Sequence, residues 1–392
     1  MRNTLQAGCL IVLIPIAACA RPAAPPRPVS LLGTSGAGST SRSDLASTVQ
    51  AMHERVKDRR DVRAAVTLAD ALLRLTRVEG NSGLAIEAER VLIAALTADP
   101  ESYDARRMLA ATYLSQHRFR DALREAQRCQ QVRQDDAWID GVIGDANLEL
   151  GRYDEAFTAF DRMAAIKPNA ASYARVAYAR ELGGDLDAAV RFMRMATEAT
   201  SAQDPESQAW HHAQLGGLLL QIGRNNDARR EFNHAAVLFP GHPFATDGLA
   251  RVAAADGDLG GALALVRKQI ASQPSAADYA FAGDLLTRLG RTAEADQHYR
   301  LAEVGWRTDA PEPARLARLL ADRGATDEAV RVAAAAWAER KDIFTADALA
   351  WAYYRSGRVA EASTVMAEAL RTGTRDRIIR AHAAEISGAA ER

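Results

Sequence analysis

Nine times along this 392-residue chain an alanine stands five residues beyond a turn position, and that recurrence limits the fold more than any other feature. Glycine occupies the turn in Gly83/Ala88, Gly151/Ala156, Gly184/Ala189, Gly223/Ala228, Gly257/Ala262, Gly290/Ala295, Gly324/Ala329 and Gly357/Ala362, and His117/Ala122 fills the remaining slot. Successive spacings are 34, 34, 33, 39, 34, 33, 34 and 33 residues. A period in this range marks an array of supersecondary units, each unable to bury its apolar face without a neighbour.

Segment 137–169 shows how one unit is built. An apolar helix runs to Gly151, which reaches the left-handed conformation that ends a helix at little steric cost. A second helix is predicted over 153–166, and Pro168 prevents its continuation. Small Gly144 and Ala156 let the two helices approach, while Ile143, Tyr153 and Phe160 fill the space beside them. Gly216 with Ala228 and Gly283 with Ala295 repeat the small pair; Leu215 with Phe232 and Leu109 with Phe119 repeat the large one. Leu45, Val49, Met52 and Val56 at helical spacing predict an N-terminal cap, and Ile378, Ile379, His382 and Ile386 a closing one. The single 39-residue spacing reads as a longer loop around 200–207.

In these residues the chain resembles the tetratricopeptide repeat (TPR) family, with small residues at positions 8 and 20 of the unit and a glycine-favouring turn near 15. Pro100, Pro168, Pro240 and Pro274 fall on the family's proline position. Tryptophan is absent from position 4, and Ala333 and Met366 stand where an aromatic is usual. The resemblance implies an all-α, right-handed superhelical solenoid of antiparallel helix pairs over 69–376, an elongated coil of about nine units. Their expected bounds are 69–102, 103–136, 137–169, 170–208, 209–242, 243–275, 276–309, 310–342 and 343–376, with a cap and lead-in at 43–68 and a closing helix and tail at 377–392.

The same resemblance implies that first helices line a concave groove, faced by positions 2, 5, 6, 9, 12 and 13 of each unit. Candidate partner-binding residues at those positions are Trp138, Asp145, Tyr178, Trp210, Phe244, Arg251, Phe281, Asp284, Arg318, Phe344, Trp351, Tyr354 and Arg355. Aromatic and arginine anchors of this kind suit a peptide or helix laid in a groove. The lysine and asparagine that clamp acidic chaperone tails in the family occur together in no unit, so such tails are not expected as partners.

The N-terminus reads as an address. Arg2 precedes an apolar run at 10–16 that is too short to span a bilayer. Ile16-Ala17-Ala18-Cys19 resembles the bacterial lipobox, which implies a signal peptide over 1–18 and a lipidated Cys19 at the head of a Pro/Gly/Ser-rich tether over 19–42. Acyl chains then hold a soluble body at the membrane through buried methylenes. An ordinary signal peptide cut after Ala18, leaving Cys19 a free thiol, is the alternative. Ala20 is compatible with outer-membrane sorting, so the resemblance implies a lipoprotein facing the periplasm, with other envelope proteins as partners and membrane contact only through the anchor.

A balance of 49 basic against 50 acidic residues lacks the surplus that displaces phosphate counterions, so nucleic acid is not expected as a partner. No His-Glu-x-x-His, Gly-x-Ser-x-Gly, Walker or Cys-x-x-Cys motif occurs, and no catalytic residue, metal or cofactor is expected. Cys129 falls on a small-residue position and reads as a buried packing thiol. The function implied is a non-catalytic scaffold or adaptor that aids assembly of an envelope complex. Two other readings stay open. His211, His212, His234 and His242 crowd into the fifth unit and raise a metal-dependent or hydrolytic site, although neighbours on a helix project about 100° apart and no companion cysteine is near. The other is a purely architectural, self-associating protein.

Overall fold

The computed structural model describes residues 42–58, 60–308 and 312–390, and every regular element among them is a helix. The expected signal peptide, the lipidation site Cys19 and the tether up to residue 41 lie outside the described residues. Helix α1 (Arg42–Arg55) precedes nine helix pairs. They are α2 (Val62–Glu79) with α3 (Ser82–Ala98), α4 (Tyr103–Ser115) with α5 (Phe119–Val132), and α6 (Ala137–Glu149) with α7 (Tyr153–Ile166). Next come α8 (Ala170–Leu182) with α9 (Leu186–Glu198), α10 (Pro205–Gln221) with α11 (Asn225–Leu238), and α12 (Pro243–Ala255) with α13 (Leu259–Ser272). The last are α14 (Ala276–Arg288) with α15 (Thr292–Thr308), α16 (Pro313–Asp322) with α17 (Thr326–Glu339), and α18 (Ile343–Arg355) with α19 (Val359–Leu370), closed by α20 (Arg377–Ala390).

The turns inside the pairs obey the recurrence. Gly151, Gly184, Gly223, Gly257, Gly290, Gly324 and Gly357 all have φ between 74° and 90°. His117 adopts φ 58° with a side chain attached, a strain of about 1–2 kcal/mol. The first pair departs from expectation. Its left-handed turn is Gly80 (φ 66°), not Gly83, because Asn81 caps α3 by accepting the Gly83 N–H. The first helix of that pair accordingly starts at Val62, ahead of the expected boundary at 69.

Glycine on a first helix makes room for an aromatic ring from the second helix. A Cβ at Gly144 would overlap Phe160, and Phe232 is wedged against both Gly216 and Gly248. At Gly283 the added carbon would lie 2.6 Å from the Tyr299 ring. Ala156, Ala228 and Ala295 are buried at the same crossings.

The residues inserted in the 39-residue spacing do not form only a loop. Asp204 caps α10 and Pro205 occupies its first turn, so α10 starts four residues before the expected boundary and reaches 17 residues where α8 has 13. That extension matters to the whole coil, because the chain returns on itself there. Arg77 of α2 pairs with Glu206, and Arg74 reaches Asp204 at 3.5 Å. A second return brings α18–α20 against α6 and α7: Ile343 donates its N–H to the Tyr153 hydroxyl (3.0 Å), and Arg371 donates to the Gly151 carbonyl (3.0 Å). One apolar cluster there joins Leu148, Tyr153, Phe160 and Leu182 to Ile343, Ala346, Ile379 and Ile386. The solenoid is therefore coiled tightly enough for distant units to touch, where an open, elongated coil was expected.

A helix packs against each end of the array. Leu45 of α1 is buried against Ala71 and Leu75, and Ile379 and Ile386 of α20 are 1% exposed.

Candidate functional site

First helices touch one another along parts of the array: α2 with α4, α4 with α6, α10 with α12, and α16 with α18. The thirteen groove candidates on these helices divide by burial. Phe281 is fully buried, with the Arg251 guanidinium 4.5 Å from its ring centroid, and Arg251 is itself buried in an ion pair with Asp247 at 2.7 Å. Asp145 is buried and receives Arg175 through both Nε and a terminal nitrogen, the latter at 2.7 Å. Trp210 is buried in an apolar cluster with Phe232 and Phe239. Trp351 is buried too, stacked on His382 with ring centroids 3.9 Å apart and donating its indole N–H to Asp322 at 2.8 Å. These five residues serve the interior and are not offered to a partner.

The others stand nearer the surface. Trp138 is half-buried beneath the Arg107 guanidinium at 4.0 Å. Tyr178, Phe244 and Phe344 are half-buried, and Tyr354 lies 5.2 Å from the Trp351 ring. Arg318 approaches Asp347 at 3.6 Å, exposed Arg355 pairs with Asp322 at 3.0 Å, and Asp284 accepts a hydrogen bond from the Tyr299 hydroxyl at 2.9 Å. The structure thus gathers Trp351, Tyr354, Arg355 and, through Asp347 and His382, Arg318 into one network at the C-terminal end. Trp138 and Phe244 stay apart from it.

Burial governs the ionisable groups inside. It pushes the imidazoles of His211 and His242 down to about 3, and the charge of Arg77 adds to both. His211 bonds Thr200 at 2.9 Å. Burial drives the Glu149 carboxyl up to about 7 against the pull of Arg340, with which it forms an ion pair at 2.7 Å. Asp278 is raised to about 6 by burial, opposed by its hydrogen bond with Ser275. The Cys129 thiol is fully buried and pushed up to about 11, as a packing thiol should be.

One set of residues was not anticipated, and another was only partly so. Arg175, Arg77, Glu206, Arg340 and Glu149 form internal pairs, and only the Asp204-Pro205-Glu206 insertion hinted at any of them. In the fifth unit, where a histidine site stood only as an alternative reading, His212 of α10 meets His234 and the unanticipated Glu231 of α11, with one ligand atom from each lying within 4.8 Å of the others. The legible signal was Glu231-x-x-His234, two donors one helical turn apart.

A scan against models of protein families and a search of curated proteins give no match. Solved structures do match. The APC/C hetero-tetramer Cut9-Hcn1 is similar with a TM-score of 0.51 and 15% identity, over 82% of this chain and 55% of that one, so the chain spans about half the length of that relative. The human IFIT1 dimer with PPP-AAAA is similar with a TM-score of 0.55 and 16% identity, over 80% of this chain and 73% of the other. Both neighbours are TPR structures, and together with the nine helix pairs they show that this chain has a TPR-like fold, an all-α helical solenoid.

Proposed function

We propose that the protein is a non-catalytic interaction scaffold, anchored in a bacterial cell envelope through lipidated Cys19, that holds a peptide or helix of another envelope protein and helps assemble a complex there. The carrying observation is the set of half-buried aromatics on first helices, namely Trp138, Tyr178, Phe244, Phe344 and Tyr354, with the Arg107 guanidinium over the Trp138 ring. Rigid aromatic faces and arginines left partly open on a firm scaffold are the groups that dominate binding energy. The lipobox-like Ile16-Ala17-Ala18-Cys19 supports the anchor, and no helix among the described residues is long and apolar enough to cross a membrane.

The test starts from crosslinking in native cells, followed by mass spectrometry to name the partner. Trp138→Ala and Tyr354→Ala are each expected to weaken capture of that partner tenfold or more, a loss of about 1.4 kcal/mol or greater, with helicity unchanged by circular dichroism. Undiminished capture by both variants and by their double mutant would remove the inner surface from consideration. Cys19→Ser is expected to abolish incorporation of labelled palmitate and release the protein from membranes; retention would sink the anchor.

A further inference from the structure

We infer that His212, Glu231 and His234 form a binding site for one divalent transition metal ion of the zinc class. His212 leaves α10 toward α11, and Glu231 and His234 rise from the same face of α11, three residues apart. His212 Nδ1 is 2.7 Å from Glu231 Oε2, and the two imidazole rings stand 5.4 Å apart at 80°. One donor atom from each residue lies within 4.8 Å of the other two. Ligands on a tetrahedral ion with bonds of about 2.0–2.2 Å sit roughly 3.3 Å from one another. That separation lies between the 2.7 Å His212–Glu231 contact and the 4.8 Å within which all three donors fall, a range that side-chain rotation can close. The short turn at Gly223 holds the two helices opposite each other.

Charge and access distinguish this trio from an ordinary surface pair. Arginine meets most of the paired carboxylates of this chain; one turn earlier on α11, Asp227 is held by Arg224 and Arg230. Glu231 has His212 as its ion-pair partner among the described residues, so no permanent cation cancels its charge. His53 and Glu87 make the same 2.7 Å contact elsewhere, but among the described residues no third donor joins them. His212 and Glu231 side chains are each 19% exposed and His234 is exposed, which gives an ion a route in and leaves a coordination position facing outward. The neighbouring His211 points away to Thr200 and is excluded as a ligand. Two imidazoles and a carboxylate select a borderline ion such as zinc over magnesium or calcium, which take shells of oxygen. With three protein ligands, a four-coordinate ion keeps its last position for water or a donor from another molecule.

The full chain, produced without a polyhistidine tag and stripped with EDTA, is titrated with zinc chloride by calorimetry, with magnesium chloride in parallel. Micromolar or tighter uptake of zinc at this site is expected, with none of magnesium. His234→Ala and Glu231→Gln should each weaken zinc binding by about tenfold or more, and His53→Ala should leave it unchanged. Because His234 is exposed, its loss does not threaten the fold, and circular dichroism checks this. Cobalt-loaded protein should show visible absorption of low-coordinate cobalt that disappears in His234→Ala. Absence of zinc uptake by the unsubstituted chain, or uptake unaltered by both His234→Ala and Glu231→Gln, would overturn the site.

Discussion

Where α2 reaches α10, distant parts of the coil are joined by charge; where α6 and α7 reach α18–α20, they are joined by apolar side chains with charge at the rim. The first seam rests on Arg77 with Glu206 and Arg74 with Asp204, and the Glu206 side chain is completely shielded from solvent. The second has the shared apolar cluster of Leu148, Tyr153, Ile343 and Ile379, flanked by Glu149, Arg340 and Asp342. Apolar burial stabilises in proportion to area, whereas a buried ion pair recovers in Coulomb attraction roughly what its two ions lose in hydration. The first seam therefore sets where the units meet more than how strongly they hold, and the second contributes most of the cohesion.

The largest expected effect follows from breaking the charged seam on one side. Arg77→Ala leaves Glu206 buried without its cation and should destabilise the fold by about 3–5 kcal/mol. Replacing both partners by methionine should recover most of that loss, since neither charge is then stranded. Chemical denaturation of the two variants measures the difference. If the single and double variants lost equal stability, the seam would depend on packing and the contrast between the two regions would collapse.

The turn glycines sharpen the comparison at smaller scale. Gly151 and Gly223 share a left-handed backbone, φ 75° and 81°, but a Cβ on Gly151 would overlap the Lys341 carbonyl oxygen across the second seam, while Gly223 faces open space. Gly223→Ala should cost about 1–2 kcal/mol, the left-handed strain alone. Gly151→Ala should cost about 1–3 kcal/mol more, the price of displacing packed atoms. Equal losses in thermal unfolding would mean that the second seam yields without resistance.

What was legible in the sequence was whatever is local. Gly151 and Pro168 mark where single helices stop, and the period repeats the glycine in eight of nine slots and the proline in four units. In the first unit the turn was read at Gly83, but Gly80 makes it, because the Asn81 side chain caps α3. The pairing of Arg77 with Glu206 was not legible, because it depends on curvature summed over several units, and no short pattern encodes that sum. For the same reason Asp145, Trp210, Arg251, Phe281 and Trp351 could be placed on first helices, but which of them pack inside and which stay open was not legible. The helical angle separated His212 from His211, and the four histidines were grouped by unit, but that His212 meets Glu231 and His234 across two helices depends on how α10 and α11 pack.

Acidity should move the two seams in opposite directions, an effect that is small for each group but the most diagnostic of those expected. His211 and His242 lie near Arg77, with Asp204 and His212 also facing His211, and their folded values near 3 are below the ordinary 6.5. The unfolded state then takes up protons first, so this stability is present above pH 6.5 and is lost progressively as pH falls below it. At pH 5.5 each histidine should cost about 1.4 kcal/mol, a tenfold loss of protection. Glu149 faces Arg340, Asp342, Glu312 and Asp145, and its folded value of about 7 lies above the ordinary 4.5. Here the folded state holds the proton first, so stability is gained as pH falls from 7 toward 4.5 and lost as it rises. Hydrogen exchange at pH 7.5 and 5.5, corrected for the intrinsic pH dependence of exchange, should show α2 and α10 losing protection while α6 and α18 gain it. Parallel changes at both seams would mean that they open as one cooperative unit, and the division between a charged and an apolar closure would have no energetic meaning.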